Sequence, residues 1–236
     1  MSTPVLRHPA VRMGLSVAVA TGLSGVSFGA LSVAAGFDVL QTMALSVLMF
    51  TGGSQFAFIG VAAGGGGGAA ALGAASLLGV RNAVYGMQIN ATLRPGPLLK
   101  PWAAQVTIDE SAATSASQSE PYGRRLGFWT AGVGVWVLWS TLTLVGALAG
   151  NALGDPTVCG LDGAATAAML GLLWPRLKDG DAWALAVLAA LVTLVALPVL
   201  PSGVPILVAA LVAGLWGWFR GPRPGQAAPH DPAGAA

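Results

Sequence analysis

The sequence predicts an all-α integral membrane protein, a polytopic bundle of seven or eight helical segments with at least one helix broken in mid-run. Three observations carry that prediction. The 236 residues are 55% hydrophobic and 8% charged, whereas soluble domains carry about 25% charge. The apolar residues come in continuous runs of about 20, the length an α-helix needs to cross a bilayer, not in the alternating runs of about ten that build barrels. Two adjacent glycines, Gly52-Gly53, interrupt one of these runs. A backbone in lipid must satisfy its own hydrogen bonds, which leaves helices or closed barrels, and the run lengths select helices.

In order, residues 1–12 form a basic arm with Arg7, His8 and Arg12, and residues 13–220 a single transmembrane domain. The first apolar segment, 13–36, runs past the length of a signal peptide and reads as a retained helix. Its Gly22, Gly25 and Gly29 make a stripe of the kind that lets helices approach closely. The second, Val39 to Ala63, is broken at Gly52-Gly53-Ser54-Gln55-Phe56. Paired glycines weaken a helix by about 1 kcal/mol each, and transporters place substrate at such breaks. A kink filled by a neighbouring helix is the alternative. Gly64–Gly68 lacks the Lys-Ser/Thr of a phosphate loop and reads as a turn.

The third segment, 69–93, holds Arg81, with Tyr85 one turn on and Leu77 one turn before. Residues 98–119 begin at Lys100 and Trp102, then become too polar for lipid. They either cross surrounded by protein, enter and leave on one side, or lie on the surface as an amphipathic helix. Apolar segments follow at 126–150, 161–175, 182–198 and 203–219. Gly146, Gly150 and Gly154 make a second small-residue stripe, and several tryptophans lie near helix ends, as an interfacial belt requires. The Pro/Gly/Ala tail, 221–236, has no means of forming a core.

Composition also excludes function classes. A net charge of +2 does not suit nucleic acid. The single cysteine, Cys159, excludes an intramolecular disulfide and a cysteine metal cage. Both histidines, His8 and His230, lie in the terminal tails, away from the core. The expectation is a protein that is not an enzyme and has no cofactor or metal.

A charge inside an apolar run costs roughly 2.5–3.5 kcal/mol on insertion scales, so Arg81 marks function or a built-in partner. From the turn at Gly96, Arg81 lies about 22 Å back along one helix and Asp109 about 20 Å forward along the other, at 1.5 Å per residue. Arg81 and a carboxylate, Asp109 before Glu110, are therefore expected to pair inside the bundle. With Gln55, Ser54, Tyr85 and the break at Gly52 and Gly53, they are the candidates for substrate binding or proton coupling. Lysine and arginine placement leaves the topology open. With eight crossings or with seven, eight basic residues face two across the membrane, and the C-terminus is cytoplasmic either way. A weak internal echo links Gly36-Phe37-Asp38 with Gly160-Leu161-Asp162.

With Gly52-Gly53-Ser54-Gln55-Phe56, Val80-Arg81-Asn82-Ala83-Val84-Tyr85 and Ile108-Asp109-Glu110, the chain resembles the AzlC family. These are the large subunits of bacterial branched-chain amino acid exporters, whose members carry G-[AS]-S-Q-F, N-L-R-H-x-x-Y and T-D-E in this order. Gln55, Arg81, Tyr85, Asp109 and Glu110 match; Gly79, Asn82 and Ile108 depart. The resemblance implies multi-pass insertion in the bacterial cytoplasmic (inner) membrane and a small AzlD-type membrane subunit as partner. It implies export of valine, leucine and isoleucine, with methionine as a further candidate, driven by the proton gradient or by the substrate's own. A channel or transporter for another small solute would use the same polar core.

As the only cysteine, Cys159 reports topology directly. It is expected on the extracytoplasmic side, labelled by a membrane-impermeant maleimide in intact cells. Labelling only after permeabilisation reverses the orientation.

Overall fold

The computed structural model describes residues 7–152, 170, 173–174, 177–200 and 204–220, and among them every regular element is a helix. The expected segment 161–175 falls largely outside the described residues, as do Cys159, Gly154 and the tail. In chain order the helices are α1 (Pro9–Ala34), α2 (Val39–Leu48), α3 (Gly52–Ala63), α4 (Gly68–Leu93), α5 (Lys100–Gln105), α6 (Asp109–Ala116), α7 (Pro121–Ala152), α8 (Gly180–Ala196) and α9 (Val204–Arg220). Helices α1 and α7 are long and apolar enough to cross a bilayer. Large apolar side chains such as Leu23, Leu72, Met87, Leu148 and Leu194 face outward. Both features are consistent with a helical membrane protein.

Local chemistry sets the helix ends. The His8 side chain caps α1, accepting from the Ala10 amide, with Pro9 in the first turn. Asp38 and Gln41 close a capping box at α2, each side chain accepting the other residue's backbone N–H. Helix α4 stops at Arg94 because Pro95 disfavours helical backbone in the residue before it; Arg94 takes a left-handed φ of 44°. Asp179 caps α8 by accepting from the Ala182 amide.

Helices α1 and α7 run parallel and in close contact. A Cβ on Gly14 would meet Thr130 and Ala131, one on Gly22 would meet Leu138, and one on Gly29 would run into the Thr143 carbonyl. From the other side, Gly146 rests on the Val26 carbonyl and Gly150 on Ala30. The two glycine stripes thus face each other. The sequence suggests that they exceed what one bundle needs and leave a face for a partner subunit. As far as they are described, this is corrected: each stripe is buried by the other.

These contacts define two ends. At the near end α1 and α7 begin, with the His8 and Tyr122 rings in contact. At the far end α1 finishes beside Gly150. From there α2 descends along α1 and α7, Thr42 bonding Ser32 and Ser46 reaching Ser140 and Thr143. The chain breaks at Met49–Thr51, and α3 climbs back to the far end, Phe56 touching Phe28 and Phe58 touching Phe37. The segment 39–63 is therefore a hairpin that enters and leaves at one end. This corrects the expectation that it crosses. The break also precedes Gly52-Gly53, so the glycines open α3 and do not interrupt a helix.

Helix α4 packs Ala71 and Ala74 on Val61 at the far end and descends to the near end, where Arg125 donates to the Leu93 carbonyl. Helices α5 and α6 then repeat the hairpin from the opposite side. Helix α5 packs Ala103 against Leu93 and Phe128 near that end. The chain turns at Val106–Ile108 in mid-molecule, and α6 returns until Gln118 reaches Gly123 and its carbonyl accepts from Arg124. Of the three alternatives for 98–119, the structure has entry and exit on one side. Each hairpin follows a 26-residue helix, α1 or α4, and the two sets run in opposite directions. This is a different repeat from the echo at Gly160-Leu161-Asp162, which lies outside the described residues.

Overpacking a close contact costs about 1–3 kcal/mol or more. Gly146→Val, driven into the Val26 backbone, should sharply lower folded yield and melting temperature in detergent. Gly60→Ala, with open space around it, should leave both unchanged or slightly raised.

Candidate functional site

The two hairpins meet at a cavity of about 300 Å³. The first supplies Phe50, Thr51, Gly52, Gly53 and Phe56; the second supplies Ile108, Asp109 and Glu110. Helix α4 adds Leu78 and Arg81, α1 adds Thr21 and Ser24, and α7 adds Val135 and Trp139. The volume falls at the lower end of the range for small-molecule sites.

Arg81 Nη1 lies 3.0 Å from Asp109 Oδ2, so the pair expected from their matched path lengths is present. Both side chains are about 70% buried, 31% and 27% exposed. Asp109 sits in the first turn of α6 with Glu110, where a carboxylate is favoured by the helix dipole. Ser111 builds that helix start. Its hydroxyl accepts from the Ile108 amide at 3.0 Å and donates to the Val106 carbonyl at 2.7 Å. Gly53 makes room for the arginine: a Cβ there would stand 2.9 Å from Arg81 Nη2.

Helix α3 presents its opening turn to the same space. Thr51 at its N-cap makes no side-chain cap hydrogen bond. The first amides of a helix have no partner within it, so the amides of Gly52 and Gly53, with Arg81 beside them, form an electropositive wall. Opposite in sign stands Glu110. Phe50, Phe56, Leu78, Val135 and Trp139 make the rest apolar, with Phe56 edge-on to Trp139.

Other expected residues do different work. Gln55 is fully buried behind the wall and donates to the Leu45 and Ser46 carbonyls at 2.9 and 3.3 Å, holding the break from below. Ser54 is buried beside Gly79, off the cavity wall. Tyr85 is one turn beyond Arg81 and also outside the wall, and the residue before Arg81 that reaches the cavity is Leu78, not Leu77. Thr21, Ser24, Phe50, Val135 and Trp139 were not anticipated. Thr21 and Ser24 carry a usable signal, as hydroxyls interleaved with the glycine stripe of α1. Trp139 has only its position, a tryptophan far from either end of its run.

A family model described as AzlC protein matches residues 16–153, which contain both hairpins and the cavity residues named here. The chain belongs to the AzlC family. That membership associates it with membrane transport, and with transporters before enzymes. No curated protein and no solved structure matches the chain. The family match ends where α7 ends, so the shared unit is the pair of oppositely directed hairpins and the three long helices that hold them.

Removing one partner of a fully buried ion pair costs about 3–5 kcal/mol; this pair is partly exposed and should cost less. Arg81→Gln and Asp109→Asn should each lower thermal stability in detergent. The double variant should recover part of the loss, with a coupling energy of about 0.5–3 kcal/mol. Additive losses would mean that the two side chains do not interact.

Proposed function

We propose that this AzlC-family chain is the large subunit of a secondary transporter that exports valine, leucine, isoleucine and methionine across the bacterial cytoplasmic membrane. The observation that carries the reading is the cavity itself, where one small apolar space joins an uncapped helix start and an arginine to a carboxylate. A zwitterionic amino acid needs all three surfaces. Its carboxylate accepts from the Gly52 and Gly53 amides and from Arg81. Its ammonium donates to the opposite wall, where the carboxylates of Asp109 and Glu110 stand together. Its side chain lies among Phe50, Phe56 and Trp139. Proton linkage runs through the same carboxylates, because a proton on either one weakens its hold on the ammonium or on Arg81.

The re-entrant hairpins also support an orientation. Arg7, Arg12, Arg94, Lys100, Arg124 and Arg125 all fall at the near end, and within residues 7–152 no Lys or Arg lies at the far end. On the positive-inside rule the near end is cytoplasmic. The chain then crosses with α1, α4 and α7, the N-terminus is cytoplasmic, and the C-terminus is cytoplasmic as the charge pattern of the sequence predicts. A small AzlD-type membrane subunit completes the exporter, docked on a face other than the α1–α7 seam.

Counterflow in proteoliposomes tests the reading. Unlabelled leucine inside should drive uptake of labelled leucine with saturation, and valine should compete. Loss of a charge-assisted hydrogen bond is worth about 1.5–3 kcal/mol, so Glu110→Gln should weaken apparent affinity by roughly 10- to 100-fold. Non-saturable flux without counterflow would mean a channel, and indifference to Glu110→Gln would remove its role.

A further inference from the structure

We propose that the near end holds a binding site for an anionic phospholipid, with one acyl chain between α4, α5 and α7 and the phosphate on Arg125. The proposal rests on the membrane reading above. A second cavity, about 270 Å³, lies there, apart from the transport cavity. Its depth is lined by buried Ile89, Leu93, Ala103 and Phe128, a surface that suits hydrocarbon and offers nothing to a free anion. The single charged residue in its wall is Arg125, which is exposed. One of its nitrogens donates to the Leu93 carbonyl at a long 3.4 Å. A guanidinium has five N–H donors, which leaves a fork for a phosphate.

The surroundings favour a lipid over other occupants. Leu98, Leu99 and Trp102 at the start of α5 are 89%, 52% and 57% exposed, beside Lys100. Apolar anchors next to a lysine are how a segment seats itself at a bilayer surface. Within residues 7–152 this end sets Arg7, Arg12, Arg94, Lys100, Arg124 and Arg125 against Glu120, so an anionic headgroup is preferred to a zwitterionic one. Basic pockets between helices on the cytoplasmic side are recognition sites of this kind.

Native mass spectrometry of the full chain in detergent, with added phosphatidylglycerol or phosphatidylcholine, tests the site. Phosphatidylglycerol should be retained in preference. Arg125→Gln should lower its retention by about fivefold, the worth of one cation near a membrane surface, and Arg125→Lys should keep most of it. If Arg125→Gln does not fold, Leu99→Asp, an exposed change that sets a negative charge at the mouth, should give the same loss. Equal retention of both lipids, displacement by inorganic phosphate, or indifference to the loss of charge would overturn the proposal. Release of the chain from washed membranes without detergent would overturn the membrane reading and this site with it; failure of leucine counterflow alone would leave the lipid result standing on its own evidence.

Discussion

Leu45, Ser46 and Val47 lie at the end of α2 in the interior of the fold; the Leu45 carbonyl still accepts from the Met49 amide, but where the chain breaks the Ser46 and Val47 carbonyls lose helical partners. An unsatisfied buried carbonyl costs about 1–3 kcal/mol, so the hairpin depends on side chains that reach them. Gln55 takes the Leu45 and Ser46 carbonyls from within the hairpin. Gln105 and Trp136 take that of Val47 from α5 and α7, at 2.8 and 3.3 Å. One hairpin therefore satisfies the other across the middle of the molecule. The second break is held more locally, by Ser111 on Val106 and Ile108 and by Thr107 on the Ala103 carbonyl. Because these groups are spent on the breaks, the helix starts just beyond them remain open toward the cavity.

The same constraint explains where the charges are. Arg81 is carried into the interior by a long helix with few polar neighbours, and it reaches two features that only the breaks provide. These are the carboxylate at the start of α6 and the space above Gly53 at the start of α3. A side chain at position 53 would displace the guanidinium, so the glycine and the arginine form one device. Trp139, 4% exposed, closes that device from α7, its ring edge against Gly52 and its face stacked on Phe28.

Much of this was legible from residue order. Helices were readable from run length, the polar weakness of 98–119 from its serines and threonines, and the Arg81–Asp109 pair from equal distances to one turn. The pair remained readable although α5–α6 turns back, because a hairpin that reaches only mid-depth still delivers Asp109 to Arg81. What could not be read is which runs turn back. A run of 25 apolar residues has the same composition whether it crosses or folds on itself, and Met49–Thr51, where the chain breaks, holds no proline or glycine. Gln55 looked like a ligand because its amide stands inside an apolar run; the carbonyls it serves carry no signal in a sequence. Likewise, two glycine stripes are equally readable as two free faces or as one seam, and only the parallel run of α1 and α7 decides it.

The opposed hairpins give the two sides of the cavity the same backbone device with opposite side chains. Each presents a helix start, worth about half a positive charge at its N-terminus. At α3 the first-turn residues are glycines and add nothing, so the wall stays positive. At α6 they are Asp109 and Glu110, which overcompensate the dipole and make that wall negative. With Arg81 between them, the two helix starts and the guanidinium together roughly cancel the two carboxylates. Such a site is neutral as a whole but strongly polarised across a few ångströms. A solute with a net charge would leave that charge unbalanced in a low-dielectric space, whereas a zwitterion brings opposite charges to opposite walls and leaves the sum unchanged. That balance supports the proposed reading of an amino acid before an inorganic ion or a simple amine, and the apolar remainder of the wall suits the aliphatic side chain proposed for it.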